Sequence, residues 1–200
     1  MNVLLVAGGS VDLTQLQELC SISDRVIALD RGLDYLLSID VMPDMFLGDM
    51  DSVQSKIPAG LMHQTFPAEK GFSDLEAGLV YAHSLVYDRL HVLGAFGTRM
   101  DHLLSGLSLL AESEGEVYFL DPHNRVRRLK EKNCLEKGDY SFFSIQPLCP
   151  CVVSIEGAKY DLRFHELRVS GSLGLSNEWK EKTVHIQLHS GNALLIESRD

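Results

Sequence analysis

The chain has 200 residues, 45% of them apolar, and a formal net charge of −10 at pH 7. This length and composition suffice for a packed core and are not typical of disordered chains. The negative charge argues against a nucleic-acid partner, because contact with a phosphate backbone requires a basic face.

The first residues, 1–7, are apolar but lack the basic start of a signal peptide. No later run approaches the roughly 18 apolar residues of a membrane span. We therefore expect no membrane partner and a cytoplasmic location.

Up to residue 130, short apolar runs alternate with helical patterns. The runs predict strands at 3–7, 26–29, 45–47, 90–93 and 117–120, and helices at 13–20, 33–38, 73–86 and 103–112. This alternation predicts an α/β domain over residues 1–130, a mainly parallel sheet in a three-layer α/β/α arrangement. Ligands of such sheets bind beyond the carboxyl ends of the strands.

After residue 130 the apolar period changes to two, with glycines between the runs. The pattern predicts strands at 140–145, 152–155, 160–164, 167–169, 184–188 and 193–196. Residues 131–200 are thus expected to form a small antiparallel β-sandwich. A core of that size needs support from the first domain or from a second copy, so we expect a homodimer.

The first candidate site is the segment 48–52, which follows a predicted strand. Asp49 and Asp51 are two residues apart, and side chains at that spacing project to one side of an extended backbone. Two carboxylates are what Mg²⁺ takes when substrate phosphates and water supply its other ligands. The alternative is a solvated turn, since Gly, Asp and Ser are typical turn residues.

Two further segments carry candidate phosphate or metal contacts. Asp74 follows Ser73, a plausible N-cap, so its carboxylate either faces a ligand or complements a helix dipole. The glycine-rich segment 94–102 lies between a predicted strand and a helix, where backbone N–H groups and Arg99 suit an anion. It matches neither a P-loop nor a dinucleotide fingerprint. Asp101 and His102 are either ligand contacts or helix-capping residues.

These segments and four others occur in an order and approximate spacing that resembles the thiamine pyrophosphokinase family. The matching residues are Asp30-Arg31-Gly32, Pro43-Asp44, segments 48–52, 70–74 and 94–102, Gly157-Ala158-Lys159-Tyr160 and Leu175-Ser176-Asn177. The resemblance covers nearly the whole chain and implies an α/β catalytic domain followed by a dimerising β-sandwich.

The resemblance implies a Mg²⁺-dependent transfer of diphosphate from ATP to the hydroxyl of thiamine, giving thiamine diphosphate and AMP. The implied metal ligands are Asp49, Asp51 and Asp74, with Arg99 and Asp101 completing the catalytic set. The implied nucleotide contacts are Asp30, Gly32, Ser52, Lys70, Gly94, Gly97, Arg99 and His102. The implied thiamine contacts are Tyr160, which would stack on the substrate across a homodimer with composite active sites, and Ser176 and Asn177.

Two departures from the family pattern bear on activity. Gly71 stands where the family usually has aspartate in Lys-Asp-x-Thr-Asp, so that either Glu69 substitutes or the metal site is weaker. Thr98 stands where a second glycine usually precedes the arginine. Two alternatives stay open: a diphosphokinase for another hydroxymethyl heterocycle such as a pterin, and a non-catalytic thiamine- or nucleotide-binding protein.

Overall fold

A computed structural model describes residues 1–67, 69–97 and 99–200. The chain divides into two compact units. The first comprises Met1–Leu110 and Glu114–Pro122, and the second comprises Ala111–Ser113 and His123–Asp200.

The first unit alternates strands and helices, as the apolar pattern predicts. Its elements are β1 (Asn2–Val6), α1 (Leu13–Ile22), β2 (Arg25–Leu29), α2 (Gly32–Ser38), β3 (Met45–Gly48), β4 (His63–Thr65), α3 (Asp74–His83), β5 (Arg89–Leu93), α4 (Met100–Glu112) and β6 (Val117–Leu120). The strands lie in the order β4-β3-β2-β1-β5-β6 and every pairing is parallel. Strand β4 was not predicted, because its three residues are polar and exposed.

Helices cover both faces of this sheet. On one face, Leu16 of α1 and Leu33 of α2 join a buried cluster with Leu4 and other strand residues. On the other face, α3 approaches so closely that a Cβ on Gly78 would lie 2.7 Å from Leu29 Cδ1. The predicted α/β/α arrangement is therefore confirmed. Among the described residues, no helix has both the length and the apolar character that crossing a membrane requires.

The second unit consists of antiparallel strands. They are β7 (Asn124–Arg128), β8 (Lys132–Glu136), β9 (Phe142–Pro147), β10 (Cys151–Glu156), β11 (Leu162–Leu167), β12 (Thr183–Ser190) and β13 (Ala193–Ser198). Within this unit, one sheet includes the strands β7-β13-β9 in that order, and the other consists of β11-β10-β12-β8. Phe143 and Leu195 of the first sheet share one buried cluster with Val153 and Ile186 of the second, which confirms the predicted sandwich.

Two details of this unit differ from the sequence-based expectation. The two strands predicted at 160–164 and 167–169 are one strand, β11. Strand β8 was not predicted, because charged residues interrupt its apolar pattern. Strand β7 pairs with β13, and Arg125 forms an ion pair of 2.7 Å with the buried Glu197. Strand β7 accordingly belongs to the second unit, whose longer segment is His123–Asp200.

Candidate active site

The switch point of the parallel sheet lies between β1 and β5, because the chain continues to β2 and β3 on one side and to β6 on the other. Ligands of open α/β sheets bind beyond the strand ends at such a point. Two loops meet there: Gly9 N donates to Gly94 O at 2.9 Å and Ser10 N donates to Phe96 O at 2.8 Å. Gly94 has φ +72° and a Cβ would lie 2.3 Å from Ala7 O, so this approach requires glycine.

Two other glycines expected at the nucleotide site differ in what they allow. Gly32 begins α2, and a Cβ there would lie 1.9 Å from Val6 O, so its small size lets α2 approach β1. At Gly97 the nearest atom to a Cβ is Gly9 Cα at 3.5 Å, an ordinary contact. Only Gly32 is thus required by packing.

Three carboxylates converge beside the ends of β2 and β3. One oxygen each of Asp30, Asp49 and Asp74 lies within 4.8 Å of the others, and all three residues are half-buried. Asp30 and Asp49 directly follow parallel neighbouring strands, and Asp74 is the first residue of α3. Oxygen ligands from a few carboxylates are the set that a hard divalent cation takes in phosphate-binding sites.

The backbone around Asp30 is specialised for this contact. Its φ is +45°, in the left-handed region where aspartate is more tolerated than most residues. Its Oδ1 accepts a hydrogen bond of 3.1 Å from Asp49 N. A Cβ on Gly48 would lie 2.2 Å from the same oxygen, so the carboxylate occupies space that only glycine leaves open.

Asp74 belongs to the cluster rather than to the helix cap. Ser73 caps α3, because its side chain accepts a hydrogen bond of 3.1 Å from Glu76 N. Asp74 Oδ1 is buried and accepts no hydrogen bond, although it lies 3.0 Å from Lys70 Nζ. That ion pair therefore lacks hydrogen-bond geometry, and the oxygen keeps its capacity to ligate. The donor set and this unsatisfied oxygen fit a magnesium ion.

Lys70 supplies the positive charge within the cluster. Its Nζ donates to Asp49 Oδ2 at 2.8 Å, and its side chain is only 7% exposed. Burial lowers the pKa of Lys70, but its contacts with Asp49 and Asp74 outweigh burial and the net pKa is raised. The same hydrogen bond from Lys70, together with one from Asp51 N, lowers the pKa of Asp49. Both groups are accordingly charged at neutral pH.

Asp30 is the carboxyl group whose charge is least compensated. Burial and the neighbouring Asp74 and Asp49 carboxyl groups together raise the pKa of Asp30 to about 7, although the hydrogen bond from the Asp49 backbone N–H opposes them. Three carboxylates beside one ammonium leave excess negative charge, which a divalent cation would neutralise.

Asp51 and Ser52 are not brought to the carboxylate cluster. Met50 has φ +69°, so residues 49–51 form a bend instead of the extended backbone expected from the i, i+2 spacing. The expectation that Asp49 and Asp51 project to one side of a strand was therefore wrong. Both Asp51 and Ser52 are exposed, and Asp51 N donates to Asp49 Oδ1 at 3.1 Å.

Arg99, Asp101 and His102 are exposed residues at the start of α4. Arg99 and Asp101 form an ion pair of 2.6 Å in which both side chains are more than 60% exposed, 67% and 63%. The hydrogen bond from Arg99 lowers the pKa of Asp101 to about 2. His102 N donates to Asp101 Oδ1 at 3.0 Å, so Asp101 also caps a helix N–H. Thr98 lies outside the described residues.

The predicted thiamine contacts lie together in the second unit. Tyr160 is 59% exposed, and the Lys159 ammonium lies 5.6 Å from its ring centroid. Asn177 is buried, and Ser176 has φ +52° and donates from its N to Ser144 Oγ at 3.0 Å. An aromatic face and two polar residues are thus held on adjacent loops.

Asn177 also has a structural role that the sequence did not indicate. Its Oδ1 accepts hydrogen bonds from Tyr160 N at 3.1 Å and Glu178 N at 2.9 Å, and its Nδ2 donates to Tyr160 O at 2.9 Å. Its backbone exchanges two hydrogen bonds of 2.9 Å with Phe143. Asn177 therefore fixes the loop that carries Tyr160.

Asp30 is the cluster residue whose place the sequence did not indicate, since it was expected to contact the nucleotide and lies instead with the carboxylates of Asp49 and Asp74. The available signal was that Asp30 follows β2 and Asp49 follows β3, because these two strands are neighbours in the sheet.

Comparison with known proteins agrees with this arrangement. A family model described as "Thiamin pyrophosphokinase, catalytic domain" matches residues 16–119, and one described as "Thiamin pyrophosphokinase, vitamin B1 binding domain" matches residues 132–192. The chain is 24% identical over 215 residues to the thiamine pyrophosphokinase of Bacillus subtilis (strain 168), covering 100% of this chain and 99% of that relative.

Solved structures share the fold. The crystal structure of thiamine pyrophosphokinase from Bacillus subtilis has a TM-score of 0.88 at 23% identity, with 100% of both chains covered. Thiamin pyrophosphokinase from Candida albicans has a TM-score of 0.83 at 18% identity, covering 99% of this chain and 89% of that one. Since the catalytic-domain model alone matches more than half of the sequence, the chain belongs to the thiamin pyrophosphokinase family, enzymes that form thiamine diphosphate from thiamine.

Proposed function

We propose that this enzyme transfers the diphosphoryl group of ATP to the hydroxyl of thiamine in a Mg²⁺-dependent reaction that releases AMP. The observation that carries this proposal is the convergence of Asp30, Asp49 and Asp74 within 4.8 Å beside the ends of parallel strands. In that position, carboxylates serve phosphate chemistry by holding a hard cation whose remaining ligands come from the triphosphate.

In the proposed site, Asp49 and Asp74 ligate the metal with Asp30, and Asp51 reaches it from the exposed bend that follows β3. Bound Mg²⁺ would neutralise charge that develops on the transferring group. The loop that begins at Gly94 would offer backbone N–H groups to the phosphates, since the N–H groups of Gly9 and Ser10 already donate to Gly94 O and Phe96 O. Ser52, Lys70, Gly97 and His102 remain proposed nucleotide contacts, as does Gly32 through the position of α2.

Arg99 and Asp101 are proposed to act as a pair. The guanidinium is held by Asp101 through bonds of 3.2 Å from Nε and 2.6 Å from Nη2, so its orientation is set before substrate arrives. A guanidinium presented in this way suits a phosphate oxygen. Asp101 would thus position Arg99.

For thiamine, we propose stacking on Tyr160 and polar recognition by Ser176, with Asn177 holding the Tyr160 loop. The cationic thiazolium favours an aromatic face by about 1–2 kcal/mol when it is desolvated. We further propose a homodimer in which Tyr160 serves the catalytic unit of its partner, and a cytoplasmic location. Large apolar side chains are exposed on the second unit, as an interface would use: Tyr160, Phe164, Val169, Leu173 and Leu175.

An end-point assay with ATP, Mg²⁺ and thiamine tests the proposal, with products separated by mass. We expect thiamine diphosphate and AMP in equal amounts. AMP formed with a hydroxymethyl pterin and not with thiamine would establish the alternative substrate. Binding of thiamine or ATP without turnover would establish a non-catalytic protein, for which the replacement of a family aspartate by Gly71 is the motivating observation.

A further inference from the structure

Lys70 is an unusual lysine because its ammonium group is buried among acids. Lysine is almost never buried unless it is paired, and this side chain is only 7% exposed. Its Nζ lies 2.8 Å from Asp49 Oδ2 and 3.0 Å from Asp74 Oδ1. The Phe66 ring centroid lies 5.7 Å from the same nitrogen, so an aromatic face accompanies the two carboxylates.

The two oxygens that contact Lys70 belong to the carboxylates proposed to ligate the metal. Asp49 has no oxygen without a donor, since Oδ2 accepts from Lys70 and Oδ1 accepts from Asp51 N at 3.1 Å. A divalent cation ligated at either contacted oxygen would lie close to the ammonium and repel it. Metal and ammonium therefore compete for the same carboxylates.

We propose that Lys70 is a tethered counter-ion that compensates the charge of Asp49 and Asp74 in the absence of metal and withdraws when a divalent cation binds. This inference rests on the proposed magnesium site. The long, flexible lysine stem permits such a movement. Gly71, the next residue, is exposed and a Cβ there would have no atom within 4 Å, so the chain beside Lys70 has room to move.

The withdrawn ammonium would become a donor for an anion, and the triphosphate is the anion expected in this crevice. Removing the lysine has opposite effects under two explanations. A competing counter-ion weakens binding of a free metal ion, so its loss strengthens that binding. A purely structural lysine orders the ligands, so its loss weakens metal binding.

The first test measures Mn²⁺ binding without nucleotide by electron paramagnetic resonance. Lys70→Met should bind Mn²⁺ more tightly than the unmodified protein, on the order of tenfold, because one positive charge in contact with two ligands is removed. Lys70→Arg keeps the charge and should bind as the unmodified protein does. Lys56→Met, at an exposed lysine of the same unit, controls for net charge and should change little. Unchanged or weaker binding by folded Lys70→Met would overturn the proposal.

The second test uses the unmodified protein and so does not depend on the folding of a variant. Acetylation of each lysine is measured by mass spectrometry with and without Mg²⁺. Lys70 should be protected without metal and react several times faster with saturating Mg²⁺, while Lys56 reacts equally in both. Equal protection of Lys70 under both conditions would overturn the proposal.

These outcomes are separable from the enzymatic assignment. If thiamine diphosphate forms normally and Lys70 is equally protected from acetylation with and without Mg²⁺, the counter-ion role is refuted and the proposed reaction stands. Absence of turnover together with metal-dependent exposure of Lys70 would remove the proposed reaction and keep the counter-ion.

Discussion

Asn177 holds both backbone polar groups of Tyr160: its Oδ1 accepts from Tyr160 N at 3.1 Å and its Nδ2 donates to Tyr160 O at 2.9 Å. The exposed aromatic ring is thereby fixed through its own main chain.

Asn177→Ala should lower the free energy of unfolding by about 1–3 kcal/mol, because buried backbone groups lose their partners. It should also raise KM for thiamine while KM for ATP changes little. Urea unfolding and steady-state kinetics check the two parts, with Ser141→Ala, at an exposed serine of the same unit, as the control. A stable Asn177→Ala protein with normal KM would contradict this role.

Tyr160 should act on the partner's site if the dimer has composite active sites. Tyr160→Ala is expected to raise KM for thiamine by an amount on the order of 1–3 kcal/mol, typical of an aromatic anchor. Mixed with Asp49→Asn protein, it should regain activity, because a heterodimer then contains one site with both residues intact. Mass spectrometry of differently tagged chains must first confirm subunit exchange. Heterodimers that form without any return of activity would refute the composite site.

Substituting Asp49 and substituting Asp51 should have similar effects on catalysis but different effects on protein stability. Either substitution by Asn should lower kcat by ~10²-fold or more, as expected when an electrostatic stabiliser is lost. Only Asp49→Asn should destabilise the metal-free protein, by about 2 kcal/mol, since it leaves the buried Lys70 with one partner fewer. Thermal unfolding in a chelator gives the comparison. Near-normal turnover of Asp51→Asn would remove that residue from the metal site.

Gly71 offers a position for an added ligand. A Cβ there would meet no atom within 4 Å and its φ is not in the left-handed region, so an aspartate can be accommodated. Gly71→Asp should lower the Mg²⁺ concentration for half-maximal rate several-fold, because a further carboxylate strengthens a hard-cation site. Gly138→Asp places the same charge at an equally open glycine of the second unit and is the matched control. Equal Mg²⁺ requirements in both variants would mean that position 71 faces away from the metal.

Asp30 should make stability depend on pH in the metal-free protein. Its pKa of about 7 in the folded state lies above the usual value near 4, so between those pH values the folded state binds more protons. Its contribution to the free energy of unfolding therefore falls as pH rises from about 4 to about 7 and stays low above that. Asn tolerates a left-handed backbone and its Oδ1 can accept from Asp49 N, so Asp30→Asn removes the charge and keeps the geometry.

Relative to the unmodified protein, Asp30→Asn should gain about 2 kcal/mol more at pH 8 than at pH 4, an amount already reduced for partial exposure. Urea unfolding at the two pH values, with a chelator present, measures this difference. Asp51→Asn, at an exposed aspartate, is the control. Its free energy of unfolding should differ from that of the unmodified protein by a similar amount at pH 4 and at pH 8. A stability change of Asp30→Asn that is the same at pH 4 and pH 8 would contradict the assignment.

Sequence patterns were sufficient for the sheet and for the neighbourhood of the site. Strands β1, β2, β3, β5 and β6 have continuous apolar runs because parallel strands are buried on both faces. The acidic and glycine residues at their carboxyl ends could then be placed along one edge. Short strand β4 and charged strand β8 have no such pattern, so they could not be predicted.

The positions of the residues within the site could not be predicted from the sequence, for a different reason. Asp30 and Met50 have positive φ, which turns the backbone after β2 and after β3. The residue types alone do not predict this conformation. As a result Asp30 entered the carboxylate group and Asp51 did not. The hydrogen bonds of Asn177 likewise depend on two loops meeting, which residue spacing alone does not reveal.

The missing side chain at Gly48 also affects how the sheet assembles. In the native register Leu29 is opposite Leu47, which brings the glycine beside the Asp30 carboxylate. A slip of one residue would place either the bulk of Leu47 or the charge of Asp49 in that space. Because a parallel strand that is apolar on both faces discriminates poorly between registers by burial alone, the acidic pocket itself disfavours misaligned pairing. The residues of the carboxylate cluster thus help the chain to select the correct strand pairing.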